Sequence, residues 1–315
     1  MSKFAIYNYN FLRIIEPHPQ MQLDFPGWAD VDVEESFGHR QQLLDELLLA
    51  DYAEPYPFEN ARKKRYWHRQ IVKPQDGVYV MRVANVTRVT ITDENLHDSN
   101  YTDYRNCLVI IDNRPGIQRI AIEQRSKAFR ETKTVAHILE ASLSKLLAPR
   151  RLKVMLTAVY DSRIFWNTVQ QYPQGFSKVR FHLPPLNLER LARVMDRYLT
   201  EAREDWDSDL DFSFGAGEGG VLKIDPDNPR QRALIEGASA AGGWIVMKPK
   251  GENRPVCCGK NEFVVYEIDR RLLDRLTAAD PALPGLEASP MDDVKRIMKE
   301  IPDVPMSAKK GDGRR

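Results

Sequence analysis

Between Glu59 and Lys73 the chain reads ENARKKRYWHRQIVK. Arg62, Lys63, Lys64, Arg65, Arg69 and Lys73 stand there among Tyr66, Trp67 and His68, against the single acid Glu59. Cations neutralise phosphates and release their counterions, while aromatic rings stack on bases, so this mixture is what a nucleic-acid groove requires. In a chain whose net charge is only +1, such a local concentration reads as placed. Arg62, Lys63, Lys64, Arg65, Tyr66, Trp67, Arg69 and Lys73 are therefore the candidate nucleic-acid-binding residues. The competing reading makes Tyr66 and Trp67 core anchors and leaves the cations solvated, in ordinary cation–π contacts.

Other spacings invite catalytic readings. Arg62…His68 and Arg130…His137 have the residue types of a helical RNase centre, where an imidazole works on a ribose hydroxyl and a cation holds the phosphate. A metal nuclease needs carboxylates converging at a strand end. Asp209 and Asp211, two apart on a predicted strand, and Glu123-x-Arg125 are the nearest approaches to that pattern. GAGEGG at 215–220 has the composition of a phosphate cradle, but VLKID after it reads as strand rather than helix, so a hairpin turn is expected. No GxSxG elbow is present, and no histidine pair has metal-ligand spacing. The three cysteines, Cys107, Cys257 and Cys258, form no CxxC. The sequence predicts no metal and no cofactor, and it defines a contact surface rather than a reaction.

Length and composition set the frame. A chain of 315 residues fits two domains. A 42% hydrophobic content with 12 Phe, 12 Tyr and 5 Trp is ample for a core, so the chain is not of the disordered class. Apolar runs such as 108–111 and 47–50 are too short to span a bilayer, and the first residues lack the long apolar region of a signal peptide. With an odd, small cysteine count, the expected location is cytoplasmic. Charge is segregated: acids outnumber bases eight to one from Asp24 to Asp51, and seven to two from Asp196 to Asp211. Such faces steer partners more than the total charge does.

Those residues must be positioned by recognisable elements. FAIYNYNFLRII (4–15) alternates as a strand; SFGHRQQLLDELLLADY places Leu43, Leu44, Leu47 and Leu48 on a helix face, with Ser36 as its cap. Strands are expected over 77–92 and 105–124, the second broken by a turn at Asn113–Gly116. Beyond 125 come a helix ending at Pro149, a strand at 151–160, a short helix from Ser162, a strand at 178–183 and an amphipathic helix at 187–203. That helix is expected to bury Leu191, Val194, Met195 and Tyr198 on a sheet holding 151–160 and 178–183. LDFSF with VLKID, and GWIVMKPK with EFVVYEID, read as two hairpins around a glycine-terminated helix at 229–243. The order predicts an α+β fold of mixed β-sheets covered by amphipathic helices. The expected division is an N-terminal domain at 1–104 carrying the basic-aromatic segment, a second at 105–280, and a charged, flexible tail at 281–315.

The block KAFRETKTVAHILEASLSKLLAPRRLKVMLTAVY, the FW of SRIFWNTV, KVRFHLPPLN and IEGASAAGGWIVMKPKG together resemble bacterial phage-defence and abortive-infection proteins of the RexA-like phage-exclusion kind. The resemblance covers roughly 105–270 and implies a dimeric, sequence-nonspecific DNA binder acting with a defence-system effector protein. The expected partners are thus DNA or RNA, a second copy of the chain and an effector, with no membrane. Two alternatives stay open: a scaffold or inhibitor that uses its acidic surfaces on a protein partner, and a nuclease.

Overall fold

The computed structural model describes residues 1–14, 30–92, 94–183, 210–240, 242–259, 264–277 and 290–301. Two compact units emerge, one from Met1–Leu156 with Val265–Lys299, the other built on Thr157–Val264. The strands are β1 (Ser2–Arg13), β2 (Phe58–Glu59), β3 (Arg65–Gln70), β4 (Val78–Thr92), β5 (Asp98–Asp112), β6 (Arg119–Glu123), β7 (Leu152–Ala158), β8 (Phe176–Leu183), β9 (Leu210–Gly215), β10 (Trp244–Pro249), β11 (Val256–Cys258) and β12 (Val265–Ile268). The helices are α1 (Val33–Gly38), α2 (Arg40–Ala53), α3 (Thr132–Leu147), α4 (Arg163–Gln171), α5 (Pro229–Ala240), α6 (Arg270–Thr277) and α7 (Pro290–Glu300). The chain is α+β, and both sheets are antiparallel where a mixed pairing was expected. Among the described residues no helix is long and apolar enough to cross a membrane.

The first unit holds an eight-stranded sheet in the order β12-β1-β6-β5-β4-β3-β2, with β7 also paired to β1. At its centre Val78, Tyr79, Val80 and Met81 are buried consecutively, so both faces are covered there. Farther along β4 and β5 the burial fades on both faces, and the pair continues as an exposed ribbon. Leu44 and Leu48 of α2 and Val135, Ile138, Leu139 and Leu143 of α3 supply buried helix faces at helical spacing. Ser36 does not cap the leucine-bearing helix: α2 starts behind His39, which makes no side-chain cap bond. Ser36 is buried inside α1, whose N-cap is Asp32, its carboxylate accepting from the Glu34 and Glu35 amides at 2.8 and 3.1 Å. Pro149 turns the end of α3 into a single 3₁₀ turn over Ala148–Arg150.

The second unit holds a four-stranded sheet in the order β11-β10-β8-β9. Phe165 of α4 and Ile235 and Ala238 of α5 pack with Phe176, Phe181, Ile245 and Met247 of the strands. Helix α5 ends at glycine as expected, with the Gly243 amide donating to the Ala238 carbonyl at 2.9 Å. Gly243 is required for a second reason, because a Cβ there would run into the His182 carbonyl.

Several expectations are corrected. A boundary at 104/105 would sever β5, which pairs with β4 from Thr92↔Asp98 to Val78↔Asp112. The range 281–315 is not all tail, since α7 buries Met291, Val294 and Met298. Segments 151–160 and 178–183 do not share a sheet: β7 joins the large one and β8 the small one. VLKID is no strand; β9 pairs with β8 instead. EFVVYEID supplies β12, which pairs with β1, and the hairpin partner of β10 is β11. For the strand pairings the cause is shared: alternation marks a segment as strand, but the partner depends on contacts distant in sequence. The expected helix at 187–203 and the tail beyond 301 lie outside the described residues.

Candidate nucleic-acid interface

The basic-aromatic run folds as a turn followed by a strand. Asn60 organises the turn: its side-chain oxygen accepts from the Arg62 and Lys64 amides, both at 3.0 Å, and its own amide donates to the Lys64 carbonyl at 3.0 Å. Lys63 takes the left-handed conformation that lets so short a turn close, at φ 60°. β3 then alternates strictly, with Arg65, Trp67 and Arg69 exposed and Tyr66, His68 and Gln70 buried.

The exposed face continues across the sheet. Trp67 stands opposite Ala84, and Arg69 directly opposite Arg82. On the next strand Tyr104 meets Trp67 edge to face, with centroids 6.0 Å apart at 84°. Trp67 is 63% exposed and Tyr104 48%, large values for rings in a sheet. Arg65 is tied to Glu59 at 3.2 Å. Arg69, Arg82 and Arg88 are exposed and have no ion-pair partner among the described residues. Like charges facing one another across a strand pair destabilise a sheet unless something neutralises them, and among the described residues no acid pairs with Arg69 or Arg82. The face thus offers two rings for stacking and three uncompensated cations.

The structure divides the eight residues proposed from sequence. Arg65, Trp67 and Arg69 share the exposed face. Arg62 and Lys63 lie in the turn, and Lys73 is exposed beyond the strand. Lys64 bonds the Asn85 side chain at 3.2 Å and lies 5.0 Å from the centre of the Tyr66 ring. Tyr66 is removed from the surface altogether; it packs on Phe129 and receives a hydrogen bond from Asn60. Its parity puts it on the core side, where no base can reach. Arg82, Arg88 and Tyr104 were missed. Their alternation along 77–92 and 105–124 was visible, but the register that brings them beside Trp67 was not.

The catalytic spacings separate as well. His68 is buried under Phe58, stacked at 3.5 Å, with its Nε2 2.7 Å from Asp51, so Arg62…His68 makes no centre. His137 is exposed on α3. Asp211 pairs with Arg180 and His182, and the Glu123 carboxylate accepts from the Leu108 amide at 3.1 Å. Asp209 lies outside the described residues. Among the described residues no cluster of three or more His, Cys, Asp or Glu is placed to hold a metal. The Cys107 thiol is pushed up to about 12 by burial, with Glu123 adding to the effect, so it is no nucleophile. No protein-family model matches the chain, and comparison with curated proteins finds no relative.

Proposed function

We propose that the exposed face of β3, β4 and β5 binds single-stranded nucleic acid without sequence preference. Bases stack on Trp67 and Tyr104, and the backbone runs past Arg69, Arg82 and Arg88. The observation that carries this reading is the opposed, acid-free pair Arg69–Arg82 beside an exposed aromatic edge pair. In keeping with the resemblance to phage-exclusion proteins, the chain would serve in the cytoplasm as a nucleic-acid sensor or accessory of an anti-phage defence system, as a homodimer acting with an effector.

Fluorescence titration with labelled oligothymidylate and duplex at two salt concentrations tests it. Arg69→Ala/Arg82→Ala should weaken binding to all sequences and flatten the salt slope by roughly 0.7 per lost contact on single strands. Trp67→Ala should cost about 1–3 kcal/mol on single strands and little on duplex. Retention of the double variant equal to wild type at both salts would remove the proposal.

A second reading rests on the distal ribbon. Ile91 is 54% exposed and Tyr101 55%, with Glu94 and Asp98 near the tip. An acidic tip beside bare apolar side chains favours a protein-interaction or scaffold role with a basic partner. Loss of a pulled-down partner on Ile91→Ser/Tyr101→Ser, with oligonucleotide binding absent in wild type, would put that reading first.

A further inference from the structure

Beside α3 lies a groove of about 930 Å³, closed by β7, the end of β1 and the Asn60–Arg62 turn. Small-ligand sites measure about 300–1,000 Å³, so the groove has room for a nucleotide-sized molecule. Its floor is apolar: Ile138 and Ala141 from the helix, Val154 and Met155 from β7, and Leu12 from β1. Its rim is cationic, with Arg62, Lys145 and Lys153 against one carboxylate, Glu140.

The local bonds show which of these groups are committed. Lys145 is held by Glu59 at 2.8 Å, and Glu140 accepts from the Leu156 amide at 2.8 Å. Arg62 and Lys153 are exposed and have no ion-pair partner among the described residues. His137 and Thr134 line the same wall, one helical turn apart along α3. Two uncompensated cations at the rim of an apolar floor suit a ligand that is anionic at one end and flat and apolar at the other. Inorganic phosphate would leave the floor bare, and a purely apolar ligand would leave the cations unanswered.

We propose that this groove is a binding site for a nucleoside phosphate. The phosphate lies between Arg62 and Lys153, the base rests on Ile138, Ala141 and Met155, and the Glu140 carboxylate oxygen not engaged by the Leu156 amide is the acceptor for sugar hydroxyls. Arg62 belongs to this groove rather than to the exposed face of β3, so the site stands whether or not that face binds a strand. The nucleoside phosphate is either a free nucleotide or the phosphorylated end of a strand.

Isothermal titration of the full chain with AMP, adenosine and inorganic phosphate tests the site. AMP should bind in the micromolar to millimolar range, and adenosine and phosphate each at least about tenfold more weakly. Arg62→Ala/Lys153→Ala, two exposed positions that leave the fold intact, should weaken AMP by about tenfold or more. Ala141→Phe should block the groove, while Trp67→Ala and Arg69→Ala/Arg82→Ala should leave AMP binding unchanged. Competition by a 5′-phosphorylated oligonucleotide, but not by its unphosphorylated twin, identifies a strand end as the source; competition by neither identifies free nucleotide. No AMP binding at millimolar concentration, equal affinity in the double variant, or equal competition by both oligonucleotides overturns the site. None of those results bears on oligothymidylate retention by the strand face.

Discussion

Asp51 illustrates how much one buried carboxylate can organise. Only 1% exposed, it accepts from His68 Nε2 at 2.7 Å, from Gln70 Nε2 at 3.0 Å and from the Tyr56 amide at 3.0 Å. Asp51→Ala should therefore cost about 3–5 kcal/mol in urea unfolding, because three donors lose their acceptor out of reach of water. A loss under 1 kcal/mol would mean that the cluster is easily re-satisfied. The cysteines give a second residue-scale test. A thiol reagent should modify Cys257 alone in the native protein and all three cysteines after denaturation, since Cys107 and Cys258 are buried. The basic-aromatic run was legible as composition, and Trp67, Arg65 and Arg69 were found that way. Tyr66 was misplaced because a ring suits either face of a strand; only the alternation of RYWHRQ, Tyr66 with His68 and Gln70, sorts it inward.

At the scale of elements, α7 shows a helix fastened by backbone acceptors. Arg114 donates to the Lys295 carbonyl at 2.7 Å and Arg119 to the Met298 carbonyl at 3.3 Å, cations placed at the helix's C-terminal half as its dipole favours. Arg114 also grips the fully buried Asp112 carboxylate through two hydrogen bonds, at 3.0 and 2.7 Å. Arg114→Ala should lower stability by about 2–3 kcal/mol and raise amide exchange across 290–300. Unchanged exchange there would show that Met291, Val294 and Met298 hold the helix by themselves. Their spacing was readable in the sequence, yet the surrounding proline and charge masked it as tail. Strand identity was legible at β1, β4, β5 and β8 for the opposite reason: dense β-branched and aromatic alternation has no rival interpretation.

For the whole molecule, acid sensitivity follows from two ion-paired carboxylates, Glu59 half-buried and Asp76 exposed. Hydrogen bonds from Lys145 and then Arg65 hold Glu59 below its ordinary value, and Lys295 does the same to Asp76. A carboxylate depressed in the fold stabilises it above the ordinary carboxylate range and loses that contribution as pH falls through the folded value. Tm should therefore be level from neutrality to about pH 5 and decline below about pH 4. Lys295, raised chiefly by its hydrogen bond to Asp76, stays charged throughout that window. Lys145→Ala/Lys295→Ala should make the acid limb shallower; an unaltered limb would assign it to other groups. The α+β class was legible because helix and strand periods differ, whereas the division into units was not. Nothing local in Leu156 or Val265 announces that the chain leaves one unit and later returns to it.

That return has a consequence for biosynthesis. β1 precedes every other described strand in the sequence, yet it is flanked by β6 and β12, whose residues 119–123 and 265–268 come far later. Pairings so distant in sequence form slowly, and an edge that waits for its neighbour stays open to strangers meanwhile. The stretch 157–264 is contiguous and carries its own core, so on a nascent chain it is ready before the sheet that precedes it is whole. The earliest of the described strands is thus among the last to find its place.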